Sequence, residues 1–247
     1  MLHGFAPSSP PPAVMSHPPP ISPLFAPNGD LSALYGSCSG DTFQILLEMH
    51  ELTHLFINSW NFDNDYAQLS STAATFDNRM QQIYTRLLLC PSTDVHGAPD
   101  WVYESCRLAS LIYCRSIIQG VPFSESANII HAPGDNVSFP GVTLIRALHD
   151  ALLKTDKSDN WGPLYGVFMW ICLVGGAAAW PPRVQHTYGI NDEDHATTAW
   201  MKKWFALFAV KSSLGGGFDQ ALAETQAQRT MLQVQNLIHL KGGIASQ

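Results

Sequence analysis

His50, Glu51 and His54 are the residues whose types and spacing most directly suggest chemistry, in the segment EMHELTHLF at residues 48 to 56. They satisfy the H-E-x-x-H pattern, in which two histidines four apart on a helix bind one zinc ion and the glutamate activates a zinc-bound water. A zinc metallopeptidase is therefore one interpretation of the chain.

A catalytic zinc also needs a third protein ligand. The extended form of the pattern places a glycine and a histidine where this chain has Ile57 and Trp60, which leaves Glu104 as the first downstream acid for a distant ligand. On a helical projection His50 and His54 share a second, partly apolar face, and no strand precedes them to align a substrate. We therefore predict structural histidines, no metal site, and a protein that is not an enzyme.

Two further patterns resemble catalytic or binding loops. GSCSG at residues 36 to 40 has the form of a nucleophile elbow around Cys38, but the strand that should precede it is missing. SLGGGFD lacks the Gly-Lys-Ser/Thr of a phosphate-binding loop, and it predicts a helix stop, a turn and Asp219 as the next helix cap. Neither pattern predicts a catalytic or cofactor-binding residue, and no cofactor is expected.

Composition narrows the class of protein further. The 247 residues are 46% hydrophobic and 11% aromatic, which is enough for a sizeable core. A net charge of -7 with 13 lysines and arginines gives no basic patch for nucleic acid or an anionic membrane. Five widely spaced cysteines without a C-x-x-C pair, and no apolar signal sequence, predict free thiols in a reducing intracellular compartment.

Apolar residues recur with helical spacing from residue 40 onward. We predict an all-α fold of roughly seven helices, with loops near residues 91–99, 120–140 and 181–194, and no strand. Asp41 is the candidate cap of the first helix, whereas Pro-Asp and Gly120 bound the third. The predicted core stripes of the first three helices are Ile45, Met49, Leu52, Phe56 and Trp60; Phe76, Met80, Ile83 and Leu87; and Val102, Cys106, Ala109, Tyr113 and Ile117.

The N-terminal segment has a different composition. The first thirty residues contain more than half of the chain's prolines and almost no charge, which prevents helix or sheet formation. We predict a disordered Pro-rich tail or linker at residues 1–38 and a helical domain at residues 39–247. A proline-rich docking ligand is the functional alternative for the tail.

Residues 161–180 contain no charged residue over a membrane-spanning length, so a single-span membrane protein is a second alternative. Pro163, the Gly175-Gly176 pair and flanks of mixed charge instead favour the central buried helix of a globular domain. Aromatic residues at helical spacing favour core positions over a ligand pocket, and Glu104 and Arg107 form either a buried or a surface pair. These aromatic residues are Trp161, Trp170, Trp200, Trp204 and Phe205.

Three segments in order carry a resemblance to a known family. They are DWVYESCRLASLIYCRSI, then ALHDALLKTDKSDNWGPLYGVFMWICLVGGAAA, then WMKKWFALFAVKSSLGGGFDQALAETQAQRTMLQVQ. Together they make residues 40–240 resemble the fungal-specific transcription factor domain. This is the helical regulatory region that follows the six-cysteine binuclear zinc cluster of fungal regulators. The resemblance implies transcription regulation in the nucleus, with a Pro-rich linker ahead of the helical region.

The chain departs from the family pattern at the zinc cluster, because no C-x-x-C-x6-C motif is present. We therefore expect no specific DNA binding and no structural zinc from this chain, which is either a sequence that begins in the linker or a relative without the DNA-binding module. By resemblance, the expected partners are proteins of the transcription machinery or a homologous regulator, together with a small-molecule effector.

Overall fold

The structure is a computed structural model, and it describes residues 19–61, 66–93, 99–131, 142–155, 161–180, 192–215 and 220–245. The described chain is almost entirely helical, which confirms the predicted all-α class. Its α-helices are α1 (Gly40–Asn61), α2 (Tyr66–Leu89), α3 (Trp101–Gln119), α4 (Phe123–Ala127), α5 (Leu144–Lys154), α6 (Tyr165–Ala178), α7 (Asp192–Gly215) and α8 (Ala221–Ala245).

The region predicted as a loop at residues 120–140 contains regular structure that sequence periodicity missed. It holds the short helix α4 and the strand β1 (Ile130–His131), which pairs antiparallel with β2 (Val142–Thr143). Elements of two to five residues are too short to show a period of 2 or 3.6 residues. The prediction of no strand was therefore wrong at this one pairing, and the helix count rises by one.

Helix boundaries follow the cap residues of the sequence at α3. Asp100 accepts a hydrogen bond from the backbone N–H of Tyr103, and Gly120 ends the helix with a φ of 65°. At α1 the prediction of Asp41 as the cap was wrong. Ser39 Oγ instead accepts from the N–H of Thr42, because a cap residue must precede the first helical turn.

The core stripes predicted for the first three helices are confirmed. Their members are buried, except for Trp60, Phe76 and Val102, which are half-buried at the edge of the core. Burying such stripes against neighbouring helices supplies most of the stability of helices in water. The helices α1, α2 and α3 pack against one another through them.

Helix α6 is the central buried helix, as predicted from its uncharged sequence. It packs against α3, α4, α5, α7 and α8, and residues such as Phe168, Trp170 and Val174 are completely buried. A helix that is apolar on every side must be covered on every side. Among the described residues, no helix is both long enough and apolar enough to cross a membrane.

Residues 19–38 were predicted to belong to the disordered tail, but they pack on the helices. Residues 1–18 lie outside the described part of the chain, and the buried apolar side chains of residues 19–38 include Ile21, Leu24, Leu31 and Leu34. Prolines bring no N–H that must be satisfied, so this segment is held by its apolar side chains and by short 3-10 turns at Pro27–Gly29 and Ser32–Leu34.

Candidate functional site

An open groove of about 630 Å³ lies over the C-terminal half of α6, between α7 and α8. Ligand sites in proteins commonly enclose 300 to 1,000 Å³, so a small molecule fits a space of this size. The start of α4 also contributes to the lining. The floor is formed by Cys172, Leu173, Gly176 and Ala177, and the walls include Lys202, Ala206 and Ala209 of α7 and Met231, Gln235 and Ile238 of α8.

The groove is open because its two walls belong to helices with different packing partners. Helix α7 lies along α6, whereas α8 packs mainly on α1 and α3. The buried side chains of α8 repeat every three or four residues, which fixes the face that it turns to the core; they are Ala227, Met231, Val234 and Ile238. Two helices anchored on different neighbours leave a channel between them.

The two adjacent glycines of α6 have different roles in the site. A Cβ at Gly175 would lie 2.6 Å from Cδ1 of the buried Phe205 ring, so the absence of a side chain lets α7 approach α6. A Cβ at Gly176 would meet only Cβ of Phe205, at an ordinary 3.7 Å. Gly175 therefore serves packing, and Gly176 leaves space in the groove floor.

The groove is mostly apolar, and one cation stands at its edge. In the part of the chain that the structure describes, Lys202 is the only lysine, arginine, aspartate or glutamate that lines the groove. Its Nζ lies 3.0 Å from the centroid of the Trp180 ring, a position that stabilises the charge through the ring face. Burial raises the pKa of the Cys172 thiol well above its ordinary value, so the floor is uncharged at neutral pH.

Most of the aromatic residues considered in the sequence analysis belong to the core and not to this groove. Trp161, Trp170 and Phe205 are buried, as predicted. Trp204 is half-buried and Trp200 is exposed, so the predicted core position was wrong for Trp200; their rings contact His149 at centroid distances of 5.0 and 4.9 Å. Trp180 and Phe123 do line the groove, and helical spacing did not single out Trp180 because it lies just beyond the end of α6.

The H-E-x-x-H residues lie on the surface side of α1. The rings of His50 and His54 are 4.4 Å apart, and Nδ1 of His50 is hydrogen-bonded to the carbonyl oxygen of Pro23. Both oxygens of Glu51 accept hydrogen bonds from Arg79, at 2.6 and 2.7 Å. Within the described residues, no group of three or more His, Cys, Asp or Glu side chains is placed to hold a metal.

Glu104, the acid considered as a distant zinc ligand, forms a buried pair with Arg107 instead. Two hydrogen bonds of 2.9 and 2.6 Å join the guanidinium to the carboxylate, and both side chains are nearly inaccessible. Glu104 Oε2 also accepts from the backbone N–H of Thr93, at 3.2 Å. The pair therefore links Thr93, in the chain before α3, to the N-terminal part of that helix.

Of the other two loop patterns, GSCSG at residues 36–40 has no feature of a catalytic site. The Sγ of Cys38 is half-buried and donates to the carbonyl oxygen of Leu34, and burial raises the pKa of its thiol, which disfavours the nucleophilic thiolate. No strand precedes it, because Ser32–Leu34 forms a 3-10 turn. Gly215 of SLGGGFD is the last described residue of α7, whereas Gly216, Gly217 and the predicted cap Asp219 lie outside the described residues, at 216–219.

One buried acid lies near the start of α8. Glu224 is almost inaccessible, and burial raises its pKa to about 7, while a hydrogen bond from Ser213 on α7 partly opposes this shift. This contact joins α7 to α8 close to the groove. The carboxyl therefore keeps its proton to a higher pH than an exposed glutamate does.

The lining could be recognised only in part from the sequence. Lys202, Met231 and Ile238 come from segments that already predicted helices, but no periodicity indicates which helices face one another across a gap. No protein-family model, no curated protein and no solved structure matches this chain.

Proposed function

We propose that this chain is a transcription regulatory domain that resembles the fungal-specific transcription factor domain and acts in the nucleus through protein partners. In this proposal DNA contact is not made by these residues, since the sequence has no six-cysteine cluster and a net charge of -7. The helical region responds to a bound effector and changes the contacts that it makes with the transcription machinery.

The observation that carries the proposal is the arrangement of the three segments in which the resemblance lies. They correspond to α3, to α5 with α6, and to α7 with α8. Helix α6 packs against α3, α5, α7 and α8, so the three segments make one structural unit, and two of them line the groove. A unit that joins an effector-sized groove to a large helical surface supports a regulatory role.

The physical route for such regulation is a shift between two packings of the helices. A ligand can bias this equilibrium only if it binds one packing more tightly than the other. A ligand in the groove can bind the two packings with different affinity. The two walls are anchored on different parts of the core, and the distance between the walls sets the fit of the ligand.

A reporter assay tests the proposal with the full chain. The chain is fused to a heterologous DNA-binding domain, and expression from a promoter with matching sites is compared with expression produced by that DNA-binding domain alone. We expect the fusion to change reporter expression several-fold, upward for an activator and downward for a repressor.

The matched control is the same fusion with Arg107→Ala, which leaves the buried carboxylate of Glu104 without its cation and destabilises the core by about 3–5 kcal/mol. The change in expression should disappear in this variant while the fusion remains bound at the promoter. Equal expression from the intact fusion and from the DNA-binding domain alone would contradict the proposed function.

A further inference from the structure

We propose that the groove between α7 and α8 binds an anionic amphiphile, a molecule with an apolar body and a carboxylate or similar head, with the head at Lys202. This inference deepens the proposed function, on which it rests, by naming the chemical class of the effector. It follows from the shape, the polarity and the placement of charge in the groove.

The apolar body is accommodated by the floor and by the wall from α8. Leu173, Ala177, Met231 and Ile238 present carbon-rich surface to the groove. Covering such surface with an apolar molecule is favourable by roughly 25 cal/mol per Å² removed from water. Methionine is also flexible, so the wall can adjust to chains or rings of different width.

The charge lies at one end of the groove. Helices α6 and α7 run antiparallel, since Phe205 meets Gly175 while Ser213 near the end of α7 contacts Met169. Trp180 and Lys202 therefore stand together at one end of the floor, and Cys172 and Ala209 lie toward the other. A groove with one charged end and one apolar end matches a molecule with a charged head and an apolar body.

The sign of the charge selects an anion. Among the described residues no aspartate or glutamate lines the groove, and the amides of Gln228 and Gln235 add neutral hydrogen-bonding groups. The contact with the face of Trp180 stabilises the Lys202 ammonium without using an acceptor atom, so the N–H groups on the side away from the ring can donate to a ligand. The carbonyl end of α6 carries partial negative charge, which makes Lys202 the group that renders an anion favourable here.

A partner helix is a weaker match for the same space. Helix-binding grooves receive a row of apolar anchors along several turns. The wall from α7 that runs from Lys202 to Ala209 is only about 10 Å long at 1.5 Å per residue. A small molecule fits within this length, whereas a helix with anchors along several turns would extend beyond the wall from α7.

Calorimetric titration of the purified full chain tests the inference with decanoate and with its uncharged counterpart decan-1-ol, both below their aggregation concentrations. We expect decanoate to bind at one equivalent and more tightly than decan-1-ol. Lys202→Ala should weaken decanoate binding about tenfold, the size of one charge-assisted contact, and leave binding of decan-1-ol unchanged.

Two further variants locate the site. Lys203→Ala removes the neighbouring lysine, which is exposed and does not line the groove, and it should leave decanoate binding unchanged. Gly176→Leu fills the floor, where a Cβ meets only an ordinary contact, and it should abolish binding of both compounds while the fold is retained. Circular dichroism and the unfolding midpoint check the fold of each variant.

Three results would overturn the inference: no binding to the intact chain, equal losses from Lys202→Ala and Lys203→Ala, or undiminished binding in a folded Gly176→Leu chain. The reporter assay separates this failure from failure of the proposed function. A chain that changes reporter expression but does not bind decanoate keeps its proposed function and loses the ligand. A chain that binds decanoate but leaves the reporter unchanged keeps the ligand and loses the proposed function.

Discussion

The adjacent glycines of α6 allow a stringent test of how α7 is packed. Replacing glycine by alanine inside a helix normally gains about 1 kcal/mol, because alanine has the higher helix propensity. Both Gly175 and Gly176 lie within α6, so propensity alone predicts the same gain for Gly175→Ala and Gly176→Ala. The structure predicts opposite signs.

At Gly175 the new methyl group would overlap the Phe205 ring, with Cδ1 and Cζ both at 2.6 Å. Phe205 is completely buried, and its ring lies against Trp204 at a centroid distance of 5.3 Å, so it has little room to move. Overpacking of this kind costs about 1–3 kcal/mol, and the upper end applies to a ring held on several sides. After the gain in propensity, Gly175→Ala should lose about 2 kcal/mol of stability.

At Gly176 the methyl group would meet only Phe205 Cβ, at 3.7 Å, so the gain of up to about 1 kcal/mol is retained. The two variants should therefore differ by about 3 kcal/mol in their free energy of unfolding. For a chain of this size, this difference corresponds to roughly 6–12 °C in the unfolding midpoint.

Urea unfolding followed by circular dichroism measures the difference directly, because both variants add the same methyl group to neighbouring positions. An unchanged slope of free energy against urea concentration confirms that only stability has changed. If Gly175→Ala proves as stable as Gly176→Ala, the packing of Phe205 on α6 is not as described, and the position of the wall from α7 is wrong as well.

Three other features give predictions that can be checked separately. Arg107→Ala should lose about 3–5 kcal/mol of stability in urea unfolding, because it leaves Glu104 buried without its cation. Arg79→Ala removes one member of a half-exposed pair and should lose at most about 1 kcal/mol, and equal losses would contradict the burial of the pair between Arg107 and Glu104. Burial raises the pKa of Glu224 from 4.5 to about 7, so the unfolded chain loses this proton at a lower pH than the folded chain does. The contribution of Glu224 to stability should therefore fall as pH rises from about 5 to 8. Glu224→Gln should remove that slope and be more stable at pH 8 by on the order of 2 kcal/mol, and parallel curves for the two proteins would refute the assignment. Gly166→Ala places a Cβ 2.6 Å from the carbonyl oxygen of Pro20, so limited proteolysis should cut within residues 19–38 faster than in the unaltered chain, and equal rates would exclude the packing of this segment on α6.

Helical periodicity was sufficient to predict the long elements of this fold. The stripes through Met49, Met80 and Cys106 were correct because a helix that buries one face must repeat apolar residues along that face. The capping interaction at Asp100 was also predictable, since it depends on neighbours within three residues.

Features that depend on chain-distant contacts were not predictable in the same way. The apolar residues Ile21 and Leu24 lie in a proline-rich segment and show no helical or strand period, so nothing local indicates that they join the core. The pairing of Glu51 with Arg79 likewise joins α1 to α2 across 28 residues, and the pattern around His50 and His54 gives no sign of it.

The groove is present because α6 is apolar on every side but is not covered by other helices along its whole length. Helix α6 is apolar all round and therefore needs neighbours on every side, yet α7 and α8 are each anchored elsewhere and do not close over residues 172 to 177. Apolar surface left in a concave place costs free energy in water, and proteins commonly use such surface for binding. The glycine pair sharpens this point, because Gly175 brings α7 close to α6 while Gly176 keeps the adjacent floor empty. A sequence selected only for packing would fill that floor, so the space at Gly176 favours a ligand over a packing defect.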